Sequence, residues 1–203
     1  NNGSATREFK GAMDEVRLYN YALSAGEILA LKGVRSADEA ASRGSFTDSA
    51  GTTLPYRLIL PEDYSADRTY PLVLFLHGAG ARGTDNEKQL AEAGVFQKIL
   101  DRQDVDYDCI MVAPQIGTDS QWVNTPWADG SYDLSETPES ASMQAVEELL
   151  EKLCGDYRVD RDRLYLVGIS MGGYGVWDMA MRSPDLFAAA VPICGAAKRS
   201  GLR

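Results

Sequence analysis

The chain contains very little histidine and cysteine. Among its 203 residues there is one histidine, His77, and there are three cysteines, Cys109, Cys154 and Cys194. Three cysteines allow at most one disulfide, whose pairing the spacing does not indicate, and no two of them form a Cys-x-x-Cys motif. So few potential ligands disfavour a structural zinc site, and we expect neither a metal nor a cofactor.

Long apolar runs and an excess of positive charge are also absent. No apolar run approaches the roughly 18 residues of a membrane-spanning helix, so a soluble protein is expected. Lysine and arginine number 20 against 30 aspartates and glutamates, which gives a formal net charge of −10 at pH 7. Because nucleic acids and anionic membranes repel such a chain, we expect neither as a partner.

The sequence does contain apolar runs that alternate with amphipathic stretches. The runs "PLVLFLHG", "CIMVAPQ", "RLYLVG" and "FAAAVPICG" are typical of parallel strands that are covered on both faces. The stretch from Thr137 to Leu153 carries an apolar stripe at helical spacing, with Pro138 in its expected first turn. A second helix is predicted after Ser170, from Gly173 to Arg182. Strands that alternate with helices predict an α/β fold with a parallel sheet.

One motif points to nucleophilic catalysis. The residues Gly168-Ile169-Ser170-Met171-Gly172 follow the apolar strand "LYLV" and precede a predicted helix. Gly-x-Ser-x-Gly between a strand and a helix is typical of a nucleophile elbow, in which the glycines prevent collisions with neighbouring elements. Ser170 is therefore the predicted nucleophile.

A second motif, His77-Gly78-Ala79-Gly80, follows another apolar strand. Acyl transfer requires N–H donors that stabilise the developing oxyanion. In a hydrolase with a nucleophile elbow, one donor belongs to the residue after the nucleophile and the other to the loop after the third strand. We therefore predict an oxyanion hole formed by the backbone N–H groups of Met171 and Ala79.

These motifs belong to a longer resemblance. Residues 56–195 resemble the α/β-hydrolase esterases related to polyhydroxybutyrate depolymerases and to feruloyl or acetylxylan esterases, one branch of which is often labelled as predicted peptidases. The matching stretches are "YPLVLFLHGAGARGTDN", "APQ", "VDRDRLYLVGISMGGYGVWDMA" and "PDLFAAAVPICG". The resemblance implies a serine esterase with an α/β-hydrolase fold. The chain departs from the pattern at Ala81, where that branch usually has a glutamate.

The resemblance also implies the order Ser, Asp, His for the catalytic triad. After Ser170 the only acidic residues are Asp178 and Asp185, and neither stands at the acid position of the family. His77 corresponds to a structural histidine that shapes the oxyanion loop. We therefore expect a C-terminally truncated domain with its triad Asp and His downstream. The chain alone should have negligible activity and should self-associate through an unprotected strand that ends at Cys194.

The connection from Ile116 to Glu136 is long and lacks clear periodicity. It carries Trp122 and Trp127 and follows Gln115, at the end of a strand where α/β sheets bind ligands. We predict these three residues as substrate-binding. For the tryptophans, a pocket for an acyl group or a sugar and a role in pinning the loop both remain open. Arg82, Thr84, Asp85 and Asn86 are expected to form a hydrogen-bonded loop that braces the oxyanion strand.

The N-terminal residues have a different pattern. The stretch "FKGAMDEVRLYNYALS" resembles the closing strand of a laminin-G/concanavalin-like jelly roll. It predicts a strand at residues 13–20, after which Ser24 and Glu27 form a capping box for a short helix. The expected divisions are a jelly-roll remnant (1–33), a linker (34–50) that runs into a weak first strand, and the N-terminal two-thirds of an α/β-hydrolase domain (51–203).

These features predict a serine esterase that is secreted or periplasmic. Acetyl or feruloyl esters of plant polysaccharide are the expected substrates, because jelly-roll modules are often appended to polysaccharide-active enzymes. That step is an analogy between domains and not site chemistry. A serine peptidase and a non-catalytic, carbohydrate-associated module remain alternatives.

Overall fold

The computed structural model describes residues 19–24, 28, 36–101, 108–129 and 132–196. Within them, six strands form one mixed sheet in the order β1-β2-β4-β3-β5-β6. The strands are β1 (Ser42–Thr47), β2 (Thr53–Ile59), β3 (Tyr70–Leu76), β4 (Ile110–Pro114), β5 (Val159–Ile169) and β6 (Ala189–Ile193). The pairs β1/β2 and β2/β4 are antiparallel, whereas β4, β3, β5 and β6 run parallel. The predicted α/β class is confirmed.

The sheet is covered on both faces because its strands alternate apolar side chains between two cores. In β3, Leu72, Leu74 and Leu76 pack into one buried cluster, whereas Val73 and Phe75 pack into the other. This is the two-residue period of a strand that is buried on both sides. Because β3 lies between β4 and β5, its C-terminal end, where the predicted site begins, is in the central part of the sheet.

The helices lie on these two faces. Their bounds are α1 (Ala37–Ala40), α2 (Lys88–Glu92), α3 (Gly94–Leu100), α4 (Ala141–Asp156) and α5 (Met171–Arg182). The apolar stripe predicted in the fourth helix is buried, namely Met143, Val146, Leu149, Leu150 and Leu153. Helix α5 ends at Arg182, as predicted.

The start of α4 differs from the prediction. The helix begins at Ala141 and not near Thr137. Ser140 is the N-cap, since its hydroxyl oxygen accepts the Met143 N–H at 3.1 Å. Pro138 therefore precedes the helix and is not part of its first turn.

The N-terminal boundary of the sheet also differs from the predicted linker. Strand β1 falls inside residues 34–50 and pairs with β2 along its whole length, from Ser42 opposite Leu58 to Thr47 opposite Thr53. Helix α1 precedes it, capped by Ser36 and Glu39 in a capping box. The sheet therefore begins before residue 51. The predicted jelly-roll strand and its capping box fall largely on residues 13–18 and 25–27, outside the described residues.

The three cysteines do not form the disulfide that the sequence would allow. Cys109 precedes β4 and is buried, Cys154 lies on α4, and Cys194 follows β6 and is exposed; all three are free thiols. Burial raises the pKa of the Cys109 thiol to about 11. This cysteine is therefore protonated and unreactive at neutral pH.

Candidate active site

Ser170 lies in a sharp turn between a strand and a helix. Strand β5 ends at Ile169 and α5 begins at Met171, so Ser170 alone joins them. Its backbone has φ 55° and ψ −118°, a conformation that residues other than glycine rarely adopt. The turn is held because the Ser170 N–H donates to Ile193 O at 2.7 Å and Ser170 O accepts from the Tyr174 N–H at 3.2 Å. This is the geometry of a nucleophile elbow.

The helix after Ser170 packs against β3 at backbone distance. A Cβ atom on Gly172 would lie 1.9 Å from Leu76 O and 2.8 Å from His77 O. Only glycine allows this approach, which brings Ser170 beside residues 77–82, here called the oxyanion loop. An ideal Cβ on Gly78 in that loop would lie 3.5 Å from the Ser170 Cβ. The two predicted motifs are therefore adjacent in space.

His77 uses both ring nitrogens inside the protein. Its Nδ1–H donates to Gly78 O at 2.7 Å, and its Nε2 accepts from the Ile116 N–H at 3.1 Å. The side chain is fully buried, and this burial lowers its pKa to about 4. A neutral imidazole with no free lone pair is not available to take the Ser170 proton. The arrangement agrees with the structural role that the resemblance implies.

Hydrogen bonds fix the oxyanion loop on both sides of Ala79. The Gly78 N–H donates to Glu92 Oε2 at 2.7 Å, Ala79 O accepts from Arg82 Nε at 3.1 Å, and the Ala81 N–H donates to Gly78 O at 3.2 Å. Within the described residues the Ala79 N–H has no acceptor. The loop is thus fixed by its other backbone groups, and the Ala79 N–H is left available as a donor.

Met171 supplies the other uncommitted N–H. It is the first residue of α5, and the first N–H groups of a helix have no acceptor within the helix. The side chain of the N-cap residue, Ser170, does not bond to it. An N–H at a helix start also carries the positive end of the helix dipole, which favours a negative oxygen. Both predicted oxyanion donors are thus unpaired in the part of the chain that the structure describes.

Gln115 forms side-chain hydrogen bonds that hold the oxyanion loop. Its Nε2 donates to Ala81 O and to Asp85 Oδ1, each at 3.0 Å, and its Oε1 accepts from the Asn86 N–H at 2.7 Å. The side chain is fully buried. In contrast to the substrate-binding role predicted for it, Gln115 is placed as a brace. Its hydrogen bond is the largest cause of the lowered pKa of Asp85. Asp85 and Asn86 form the hydrogen bonds expected of this loop, with Gln115 as their shared partner.

Trp122 is also a brace. It is fully buried, its Nε1–H donates to His77 O at 2.8 Å, and its ring lies 5.0 Å from the His77 ring. Ser140 Oγ donates to Trp122 O at 2.6 Å. Of the two interpretations left open, this geometry favours pinning of the loop over a pocket wall. Trp127 begins a short 3-10 turn, Trp127–Asp129. Its side chain lies outside the described part, so a substrate-binding role stays a prediction.

Asp178 is paired with an arginine of its own helix. It is fully buried on α5 and forms a bidentate pair with Arg182, with Nε to Oδ2 at 2.8 Å and Nη2 to Oδ1 at 3.1 Å. Arg182 Nη2 also donates to Thr137 O at 2.6 Å. The Asp178–Arg182 pair therefore links the long loop before α4 to α5, the helix that follows Ser170.

The match to known proteins covers this site and the sheet around it. A family model described as "Putative esterase" matches residues 47–200. The chain belongs to this esterase family. The matched range begins at the last residue of β1 and includes the oxyanion loop, the elbow and β6.

Individual proteins to which this chain is similar are also named as esterases. "Putative esterase NocK" of Nocardia uniformis subsp. tsuyamanensis is 29% identical over 147 residues, which are 72% of this chain and 39% of that protein. The crystal structure of a thermostable esterase is 36% identical with a TM-score of 0.69, covering 80% of this chain and 43% of that one. A ferulic acid esterase, 22% identical with a TM-score of 0.56 over 74% of this chain and 58% of that one, shares the fold.

The chain spans about two fifths of the length of the curated esterase and of the thermostable esterase. In the described part of this esterase-family chain, no group of histidine, cysteine, aspartate and glutamate side chains could hold a metal ion. No helix in that part is long and apolar enough to cross a membrane.

Sequence reasoning missed one residue at this site. Glu92, at the end of α2, places its carboxylate on the Gly78 N–H. Neither the spacing nor the composition of residues 88–92 indicates this contact, because it depends on how α2 folds back onto the oxyanion loop.

Proposed function

We propose that the protein to which this chain belongs is a serine carboxylic-ester hydrolase. The observation that carries the proposal is the position of the strained Ser170 beside two uncommitted N–H groups, those of Ala79 and Met171. Ser170 Oγ attacks the ester carbonyl carbon, and the carbonyl oxygen becomes an oxyanion that accepts a hydrogen bond from each of the two N–H groups. A general base takes the Ser170 proton and gives it to the departing alcohol, after which water hydrolyses the acyl-enzyme, releasing the acid and free Ser170. Each donor is expected to contribute about 3 kcal/mol to the stabilisation of the transition state.

The base that activates Ser170 is proposed to be a histidine outside residues 1–203, oriented by an aspartate. His77 is the one histidine of the chain, and both of its nitrogens are engaged. A serine hydroxyl without a base is a weak nucleophile. The chain alone should therefore retain only the rate enhancement of the oxyanion hole and of substrate binding, roughly 10³-fold over water.

The substrate is proposed to be an acetyl or feruloyl ester of plant polysaccharide, and the protein is proposed to act outside the cytoplasm. The resemblance of residues 9–24 to a jelly-roll domain supports both proposals by analogy.

Parallel assays of the full-length protein test these proposals. Initial rates on p-nitrophenyl acetate, methyl ferulate and a peptide amide are compared, with Ser170→Ala as the matched control. We expect turnover of the esters, a loss of at least about 10³-fold in Ser170→Ala, and negligible cleavage of the amide. Preferred cleavage of the amide would favour a peptidase. Absence of turnover on all three substrates would favour a non-catalytic module.

The free edge of β6 is proposed to cause self-association of the isolated chain, with a second copy of the chain as the partner. In the described sheet β6 pairs only with β5, and its Val191 and Ile193 are 49% and 40% exposed. Unpaired strand edges with apolar side chains are templates for pairing. Light scattering should show dimers or larger species that Val191→Lys reduces. A monomer at all concentrations would refute this proposal.

A further inference from the structure

The carboxylate of Glu92 faces the oxyanion loop with both of its oxygens. Glu92 Oε2 accepts the Gly78 N–H at 2.7 Å. A Cβ on Gly78 would lie 3.0 Å from the same oxygen, and a Cβ on Gly80 would lie 3.3 Å from Oε1. The carboxylate therefore spans the two residues on either side of Ala79, the residue whose N–H remains uncommitted.

Glu92 also lies close to the predicted nucleophile, Ser170. The ideal Cβ position of Gly78 that lies 3.0 Å from Glu92 Oε2 also lies 3.5 Å from the Ser170 Cβ. Glu92 and Ser170 thus both lie against the same face of Gly78. Any movement of Gly78 would change the distance between Ser170 and the neighbouring N–H of Ala79.

None of the ion pairs among the described residues includes Glu92. A half-buried carboxylate that lacks a cation is stabilised by N–H donors, and a charge-assisted hydrogen bond is about twice as strong as a neutral one. The Gly78 N–H is the donor here, so the bond fixes the loop more firmly than a neutral acceptor of the same length would.

We propose that Glu92 is a positioning residue of the esterase centre, which holds Gly78 so that the Ala79 N–H is directed at the oxyanion. The proposal rests on the proposed function of Ser170 and Ala79. Glu92 does not touch the reacting atoms and acts through the loop backbone. The amide of Gln offers a neutral acceptor of the same reach, so Glu92→Gln should keep a weaker form of the bond and most of the effect, whereas Glu92→Ala should remove it.

Amide hydrogen exchange at single-residue resolution tests the bond without any need for activity. In the 203-residue chain, we expect the Gly78 amide of Glu92→Ala to exchange at least about 10-fold faster than that of the wild type, and the amide of Glu92→Gln to stay within about 3-fold. Equal protection of Gly78 in the wild type and in Glu92→Ala would overturn the proposal, whether or not the protein is an esterase.

Kinetics of the full-length protein on p-nitrophenyl acetate test the consequence. We expect Glu92→Ala to lower kcat by about 10-fold to 100-fold, part of the loss seen when an oxyanion donor is removed, with KM changed by less than about 3-fold. Glu92→Gln should restore kcat to within about 3-fold. The matched control is Glu87→Ala, an exposed residue that directly precedes α2 and pairs with Arg43, and it should leave both constants unchanged.

Three kinetic outcomes would contradict the proposal: an unchanged kcat in Glu92→Ala, a kcat of Glu92→Gln as low as that of Glu92→Ala, or a kcat of Glu92→Gln well above that of the wild type. The last would show that the carboxylate opposes the oxyanion. If the wild type itself turns over no ester, the proposed function fails, and hydrogen exchange alone decides the role of Glu92.

Discussion

The elbow around Ser170 and the oxyanion loop meet at the same edge of the sheet, but different forces hold them in place. The elbow is fixed by backbone contact, since a Cβ on Gly172 would overlap Leu76 O. The oxyanion loop is fixed by side-chain hydrogen bonds that reach it from other elements, including those from Gln115 and Glu92.

This difference predicts two kinds of sensitivity. Backbone contact leaves no volume for a side chain, so the elbow should not tolerate added atoms. Hydrogen bonds can be removed one at a time, so the oxyanion loop should lose stability in steps and should respond to pH where a bonding group titrates. The following predictions separate the two regions.

The largest effect is expected for Gly172→Ala. The added methyl group would lie 1.9 Å from Leu76 O, a backbone atom that cannot rotate away. We expect the free energy of unfolding, measured in urea, to fall by about 3 kcal/mol or more. The matched control is Gly155→Ala on α4, where no atom lies within 4 Å of the added Cβ. It should change stability by less than about 1 kcal/mol, in the stabilising direction. Equal effects at both positions would refute the close contact.

The next effect is a pH dependence that arises from His77. Its pKa is about 4 in the folded chain and 6.5 ordinarily, so the unfolded state binds more protons between these values. The stabilisation is complete above about pH 6.5 and is lost as the pH falls toward 4, by up to about 3 kcal/mol. Unfolding of the wild type and of His77→Asn is measured across this range. Carboxylates titrate in both proteins, so the difference between the two curves reports His77. Parallel curves would contradict the assignment of a buried, neutral imidazole.

A smaller effect is expected for Gln115→Leu. This change removes the bonds to Ala81 O and Asp85 and leaves the Asn86 N–H without its acceptor. We expect a loss of about 2 kcal/mol in the free energy of unfolding. The pKa of Asp85, followed by NMR, should rise because its main stabilising bond is lost. The exposed Gln144→Leu is the control and should change stability by less than about 0.5 kcal/mol. An unchanged Asp85 pKa would show that Gln115 does not brace the loop.

The features that could be predicted from the sequence are those encoded by local patterns. The apolar runs gave the strands, because a strand covered on both faces must be apolar throughout. The turn at Ser170 could be predicted because Gly-x-Ser-x-Gly between a strand and a helix indicates two things, namely a strained backbone at the serine and a close approach of the helix to neighbouring strands. His77 and Ser170 each follow an apolar run, so both were predicted to lie at the carboxyl end of a strand. In the structure these two strands, β3 and β5, are neighbours.

What could not be predicted depends on contacts between distant residues. Gln115 and Trp122 were predicted to bind substrate from their position after a strand, but the partners of their side chains lie 29 to 45 residues away along the chain and only the fold brings them together. The start of α4 was misplaced because Ser140 and Pro138 both suit a helix start, and the capping bond of Ser140 decides between them. β1 was assigned to a linker because its polar sequence, SRGSFT, belongs to an exposed edge strand.

The reactivity of Ser170 in the 203-residue chain tests most directly whether it is a nucleophile whose base is not His77. The chain is incubated with a fluorophosphonate, with and without added imidazole as a diffusible base, and labelling is followed by intact-protein mass spectrometry. We predict negligible labelling without imidazole, faster labelling with it, and none in Ser170→Ala under either condition. Rapid, stoichiometric labelling without imidazole that is abolished in both Ser170→Ala and His77→Asn would contradict the claim and make His77 the base.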